Sequence, residues 1–212
     1  MLLDPSEMRQ DYDRDQLVED MVDADPIRQF AMWFEDARNG GLMEPNAMSL
    51  STVTEDGLVS SRMVLMKGFD ERGFTFFTNY ESRKGRELAA DGRAALLFWW
   101  DRLHRQVRIE GAVARVDDSE SDAYFATRPH GSRIGALASP QSRVIDGREW
   151  LEARFAETEA AHPDDVPRPA HWGGYRVAPD MIEFWQGRRS RLHDRLLYSR
   201  DGESWTIARL AP

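Results

Sequence analysis

Residues 47–69 read AMSLSTVTEDGLVSSRMVLMKGF (Ala47–Phe69). Two runs rich in Val, Leu, Met, Ser and Thr, AMSLSTVT and LVSSRMVLMKGF, flank the turn signal EDG, which predicts a β-hairpin. The same texture continues outward from this hairpin. DERG leads into a short strand, FTFFTN. RAALLFWW and RQVRIEGAVARV follow as strands joined by DRLH, a connection short enough for antiparallel pairing. YRVAPDMIEFWQG predicts a further strand, and RLLYSRDGESWTIARL a hairpin around RDGE.

Helix signals lie between the strands. In DPIRQFAMWFEDARNGG, Asp25 can cap, Pro26 suits the first helical position, and Gly40–Gly41 can end the helix. Ile27, Phe30, Ala31 and Phe34 share one face at helical spacing. ESRKGRELAADG predicts a short helix. DSESDAYFATRP predicts one capped by Asp118 or Ser119 and stopped before Pro129, and GREWLEARFAETEAA another, polar on one side. HPDDVPRPAHWGG reads as a Pro-rich connector. Many short strands with a few peripheral helices predict a mainly β (α+β) fold, a single barrel or roll over residues 25–212 behind a flexible acidic arm at residues 1–24. No GxGxxG follows a strand and no GxxxxGK[ST] occurs, so the dinucleotide-binding and P-loop folds lack their fingerprints.

The net charge of −9 argues against a generic nucleic-acid-binding surface. It leaves room for a local basic pocket, since local potential and net charge are separate matters. The chain has no cysteine, which removes disulfides, thiolate nucleophiles and zinc–thiolate sites and fits a reducing cytoplasm. The acidic start MLLDPSEMRQDYDRDQ lacks the apolar run of a leader, and no stretch approaches the ~18 apolar residues of a membrane span. The five histidines form no HExxH or other close ligand pair, so no metal site is expected.

Positive charge gathers in four places. SRMVLMKGF puts Arg62 and Lys67 in an apolar strand, either as plain end charges or as a grip on an anion. In an ideal strand Arg62, Val64 and Met66 share one face, and Met63, Leu65 and Lys67 the other. In FFTNYESRKGREL a helix begins near Ser82, with Arg83 and Lys84 in its first turn, where they oppose the helix dipole unless something negative binds. YFATRPHGSRIGALASPQS combines Tyr124, Arg128, Ser132 and Arg133 with small residues. It reads as a Gly/Ser/Pro-rich connection, with an anion-binding loop as the alternative. EFWQGRRSRLHDR (Glu183–Arg195) places His193 two residues from both Arg191 and Arg195; extended, the three share a face, either a solvated basic edge or an anion-binding surface.

These stretches also carry a family resemblance. RMVLMK, FFTNYESRKG, RQVRIEG, YFATRP with SRIGA, QS, WGGYRV, EFWQG with RLHDR, and the closing RLAP resemble, in order and approximate spacing, the pyridoxine (pyridoxamine) 5′-phosphate oxidase family. The resemblance runs from about residue 9 to residue 212. It implies an FMN-binding split β-barrel and a homodimer with FMN at the interface, both chains contributing. It also implies oxidation of pyridoxamine or pyridoxine 5′-phosphate to pyridoxal 5′-phosphate, with O2 reduced to H2O2.

Carried over position by position, the resemblance implies FMN contacts from Arg62, Met63, Val64, Leu65, Met66, Lys67, Phe77 and Thr78. Arg83 and Lys84 would hold the FMN phosphate, and Gln106, Gln141, Ser142, Trp185 and Arg195 would complete the flavin site. Lys67, Tyr124, Arg128 and Ser132 would meet the substrate phosphate. Arg191, Leu192 and His193 would lie by the substrate ring, with Arg191 and His193 nearest the reacting carbon. Arg9 and Tyr12 match a segment that covers the active site. The sequence departs from the family pattern at Phe77, where some members have Tyr, at Pro140 and Arg143 around Gln141–Ser142, and in the extra basic residues Arg188 and Arg189. Two other readings stand beside this one. One is an FMN split-barrel protein with a different substrate, against which Tyr124, Arg128, Ser132 and RLHDR speak. The other is a flavin or pyridoxal phosphate carrier without turnover.

Overall fold

The computed structural model describes Tyr12 and residues 16–212. Among them the strands are β1 (Ala47–Val53), β2 (Val59–Leu65), β3 (Gly68–Asp70), β4 (Gly73–Asn79), β5 (Arg93–Trp100), β6 (Arg105–Arg115), β7 (Trp172–Gln186), β8 (Asp194–Asp201) and β9 (Ser204–Arg209). The helices are α1 (Pro26–Asn39), α2 (Arg83–Asp91), α3 (Asp118–Ala126), α4 (His130–Ala138) and α5 (Arg148–Ala161). The strands form one sheet in the order β2-β1-β5-β6-β7-β4-β3, with β8 beside β7 and β9 beside β8. No described helix is long and apolar enough to cross a membrane.

The chain divides into two compact units. The first takes residues up to Ser49 together with Leu96–Glu110 and Pro179–Pro212. Its core is aromatic: Phe30 of α1 packs on Phe98 and Trp100 of β5, and Trp33 meets Phe184 of β7 edge-on at 5.2 Å. Each such ring, fully buried, contributes roughly 1.5–3 kcal/mol. Asp25 caps α1 by accepting from Ile27 N at 2.8 Å, as the sequence predicts. The buried face of α1 is Phe30, Trp33 and Ala37 rather than the predicted Ile27–Phe34 stripe, because the larger indole takes the core position. Near the end of β9, Arg209 donates to Glu19, to Asp194 and to the carbonyl of Leu17.

The second unit comprises Leu50–Ala95 and Gly111–Ala178. In it β4 pairs antiparallel with β7, placing Phe77 opposite Gly174 and Asn79 opposite Trp172. A satellite core of Phe125, Ile134, Val166 and Trp172, with Phe155 against it, lies under the helical segment. Three expectations need correction here. The predicted strand over 58–69 breaks after Leu65, and β3 starts afresh at Gly68. The cap of α3 is Asp117, and it makes no side-chain bond. The stretch read as a Gly/Ser/Pro-rich connection is helix α4, because Ile134 and Ala138 are buried and override the low propensity of Gly131 and Gly135.

Candidate active site

The second unit contains a cleft of about 520 Å3. One wall is a stack of rings. Phe77 of β4 lies 4.0 Å from Tyr124 of α3 and 5.6 Å from Trp172 of β7, centroid to centroid, nearly parallel to both. The opposed residue must be small for this, since a Cβ on Gly174 would come within 2.8 Å of the Phe77 ring. Arg128, just after α3, spreads its guanidinium over Trp172 at 4.6 Å. Its Nη1 is buried and has no hydrogen-bond partner among the described residues. Burial pushes the Arg128 pKa down and the Tyr124 hydroxyl up, and each group partly counters the other's shift. A buried donor left unpaired costs about 1–3 kcal/mol, more for a charged group, so this guanidinium is set up to receive an anion.

The cleft gathers most of the sequence-predicted residues of this unit. Met63, Val64, Leu65 and Lys67 line it from β2 and the residues after it, and Thr78, Ser132 and Gln141 line it elsewhere. Lys84 lines it too, donating to Thr78 Oγ1 at 3.2 Å. Burial, then the charge of Arg62, holds the Lys84 pKa below its ordinary value. Met66 is turned into the core at 4% exposure and does not line the cleft. Ser142 is exposed, with a left-handed φ of 69°.

Beside Lys84, α2 begins at Ser82, whose hydroxyl accepts from Gly85 N and donates to Asn79 O. The first turn of α2 carries no acidic residue. Gly85 allows its close approach to β4, because a Cβ there would sit 2.2 Å from the Tyr80 carbonyl oxygen. Arg83 donates Nε–H to Glu87 at 2.8 Å, and Arg62 donates to Glu87 at 3.0 Å. Burial raises the Glu87 pKa, but bonds from Thr52, Ser60, Arg83 and Arg62 outweigh it and bring it to about 2.

The first unit holds the remaining predicted residues. Trp185 of β7 faces Arg195 of β8, and the His193 ring lies 4.5 Å from the Trp185 ring. Tyr12 packs on His104, Trp185 and His193. Gln106 is partly buried on β6, and Leu192 is exposed. Arg9 lies outside the described residues. The expected common face of Arg191, His193 and Arg195 does not form. Ser190 and Arg191 take left-handed φ values of 56° and 63°, so β8 starts only at Asp194. Arg195 instead forks onto the buried Glu183 at 2.7 and 3.1 Å. His193 Nδ1 accepts from Arg188 N–H at 3.1 Å, so the neutral ring carries its proton on Nε2. Burial, then the neighbouring Arg191, keeps the His193 pKa below the ordinary imidazole value.

Three contributors escaped the sequence reading as individual residues. Trp172 stands in the WGGYRV motif with no individual signal that its ring joins the Phe77–Tyr124 stack. Asn79 lines the cleft from the end of β4. Glu87 carries no local sequence signal of its buried partners.

Comparisons with known proteins bear on the family and the fold. The family profile described as "Pyridoxamine 5'-phosphate oxidase" matches residues 34–162, and "Pyridoxine 5'-phosphate oxidase C-terminal dimerisation region" matches residues 172–212. A Rubrobacter xylanophilus protein named pyridoxine/pyridoxamine 5'-phosphate oxidase is 59% identical, covering 97% of this chain and 95% of its own. A Thermosynechococcus vestitus protein of the same name is 58% identical, covering 98% of both. Among solved structures, PhzG from Burkholderia lata 383, in complex with tetrahydrophenazine-1-carboxylic acid, superposes with a TM-score of 0.88 at 37% identity, over 93% of this chain and 98% of that one. A pyridoxamine 5'-phosphate oxidase-related, FMN binding protein from Nostoc punctiforme shares the fold, with a TM-score of 0.68 at 19% identity over 86% and 95% of the two chains. The sheet with its five helices is therefore the split β-barrel that the resemblance implied, and the chain belongs to the pyridoxamine 5′-phosphate oxidase family.

Proposed function

We propose that this chain is an FMN-dependent oxidase converting pyridoxamine 5′-phosphate or pyridoxine 5′-phosphate to pyridoxal 5′-phosphate, with O2 reduced to H2O2. It acts as a homodimer with FMN at the subunit interface, and its compartment is the cytoplasm. The observation that carries the reading is Arg128, a half-buried side chain whose buried Nη1 lacks an acceptor among the described residues, laid on Trp172 in a cleft shared with Lys67, Tyr124 and Ser132. A phosphate monoester supplies acceptors that match the planar fork of an arginine. Relatives at 58–59% identity that carry this oxidase name support the same substrate class.

The residues present fit FMN. Arg83 and Lys84 at the start of α2, with Arg62 bonded to the same Glu87 as Arg83, concentrate positive charge where the helix leaves free N–H groups. Met63, Leu65 and Phe77 offer apolar surface to a flat ring system. When bound, FMN would supply the two-electron redox chemistry between the substrate and O2. The chain's residues bind and orient. Lys67, Tyr124, Arg128 and Ser132 hold the substrate phosphate. Arg191 and His193 align the substrate ring, His193 through its Nε2–H. Gln106, Gln141, Ser142, Trp185 and Arg195 complete the flavin contacts. Keeping two flat rings at near contact is a positioning task, and no single general base is required.

The test is a visible spectrum of the purified protein, followed by anaerobic addition of pyridoxamine 5′-phosphate. The expected result is bleaching of a flavin band near ~450 nm, reversed by air with pyridoxal 5′-phosphate formed. A flavin band that stays unbleached would leave a flavin protein with another substrate, or a carrier. No flavin after incubation with FMN would overturn the reading.

A further inference from the structure

A carboxylate next to a phosphate site repels the phosphate, so Glu87 calls for a reason. Its side chain is 5% exposed and four donors converge on it. Oε1 accepts from Arg83 Nε at 2.8 Å. Oε2 accepts from Thr52 Oγ1 at 2.5 Å, Ser60 Oγ at 2.7 Å and Arg62 Nη2 at 3.0 Å. The same two hydroxyls accept in turn from Arg62, Thr52 from Nη1 and Ser60 from Nη2, and Arg62 Nη1 also reaches the Leu50 carbonyl. One carboxylate thus ties α2 to β1 through Thr52 and to β2 through Ser60 and Arg62, and holds Arg83 of its own helix.

Resting on the flavin reading above, we propose that Glu87 is the positioning residue of the FMN phosphate end. It takes Arg83 by Nε, so that both Nη groups, which donate to no described residue, face outward as a preset fork. It also fixes the Arg62 guanidinium between two strands. With Arg62, Arg83 and Lys84 charged, its single negative charge leaves two positive charges, matching a phosphate dianion. Without Glu87, Arg62 and Arg83 repel one another, and the Arg83 fork loses its anchor.

Charge and positioning predict opposite signs, which makes the point decidable. If Glu87 were only a misplaced negative charge, its removal would tighten FMN. If it positions the cradle, its removal loosens FMN but spares a flavin that lacks the phosphate. The experiment titrates the flavin-stripped chain with FMN and with riboflavin, following quenching of flavin fluorescence. In Glu87→Gln the Kd for FMN is expected to rise about tenfold or more, while the Kd for riboflavin moves less than about twofold. Ser60→Ala, a milder change at the same carboxylate, is expected to shift the FMN Kd about threefold in the same direction and serves if Glu87→Gln does not fold. An unchanged or tighter FMN Kd, or equal losses for both flavins, would overturn the proposal. Wild-type protein that binds neither flavin would instead remove the flavin reading, and this inference with it.

Discussion

At the scale of single residues, two side chains carry the proposed chemistry. Arg128 is ordered by stacking and burial while its Nη1 waits for an acceptor. Arg128→Ala is therefore expected to raise KM for the phosphorylated substrate by roughly 10–100-fold with a smaller effect on kcat, and an unchanged KM would remove the role. His193 is held neutral by burial, by Arg191 and by the Arg188 N–H bonded to Nδ1. A folded-state pKa below 6.5 means that the ring resists protonation as pH falls, so its charged form appears only under more acidic conditions than in a free imidazole. Arg191→Leu deletes the positive neighbour, so the His193 titration seen by NMR should move upward toward 6.5. The same variant should lower turnover by about tenfold or more, and turnover within about twofold of wild type would free Arg191 from its role. These residue types were visible in the sequence, but spacing did not bring them together. The family resemblance did that. Glu87 shows why: its partners Arg62, Ser60 and Thr52 stand 25, 27 and 35 positions away, on strands no local pattern relates to α2.

At the scale of elements, the hairpins and capped helices were legible because their signals are local. Asp25 before Pro26, Ser82 before Arg83, and Gly202 at φ 61° between β8 and β9 do in the fold what their types predict. Helix α4 was not legible. Its glycines and serine describe a loop, and only the fit of Ile134 beside Phe125, Val166 and Trp172 makes it a helix. Nor was the turn at Ser190–Arg191, where two non-glycine residues hold left-handed backbone at about 1–2 kcal/mol each, a conformation no residue preference announces. The joint between β4 and α2 offers the element-level test. A methyl group on Gly85 would meet a backbone carbonyl that has nowhere flexible to retreat. Gly85→Ala is expected to destabilise the fold by about 1–3 kcal/mol in urea unfolding and to weaken FMN binding, since Arg83 and Lys84 move with the helix start. Wild-type stability in this variant would mean that the approach is looser than described.

At the scale of the whole molecule, the proposed contacts fall into two sets. Arg62, Lys84 and Arg128 belong to one compact unit, and Trp185, His193 and Arg195 to the other. If each site of the proposed homodimer takes one set from each chain, two variants that are each impaired at substrate well below KM should rescue one another under that condition. Mixing Arg128→Ala with His193→Ala and allowing subunit exchange should restore about a quarter of wild-type activity, since half the dimers become mixed and each then holds one intact site. No rescue after demonstrated exchange would place both sets in one chain. The chain's surplus of acid, −9 overall, hides this locally basic equipment from any reading of composition.

The contact between Arg209 and the carbonyl of Leu17 joins residues 192 positions apart, and its bonds to Glu19 span 190. During synthesis the segment around Leu17 leaves the ribosome long before its anchor has been made. Until residue 209 has been made it has no Arg209 to hold it. It locks only after β9 emerges, so the segment around Leu17 settles after residues made far later than itself, and a product stalled before Arg209 lacks the clasp altogether.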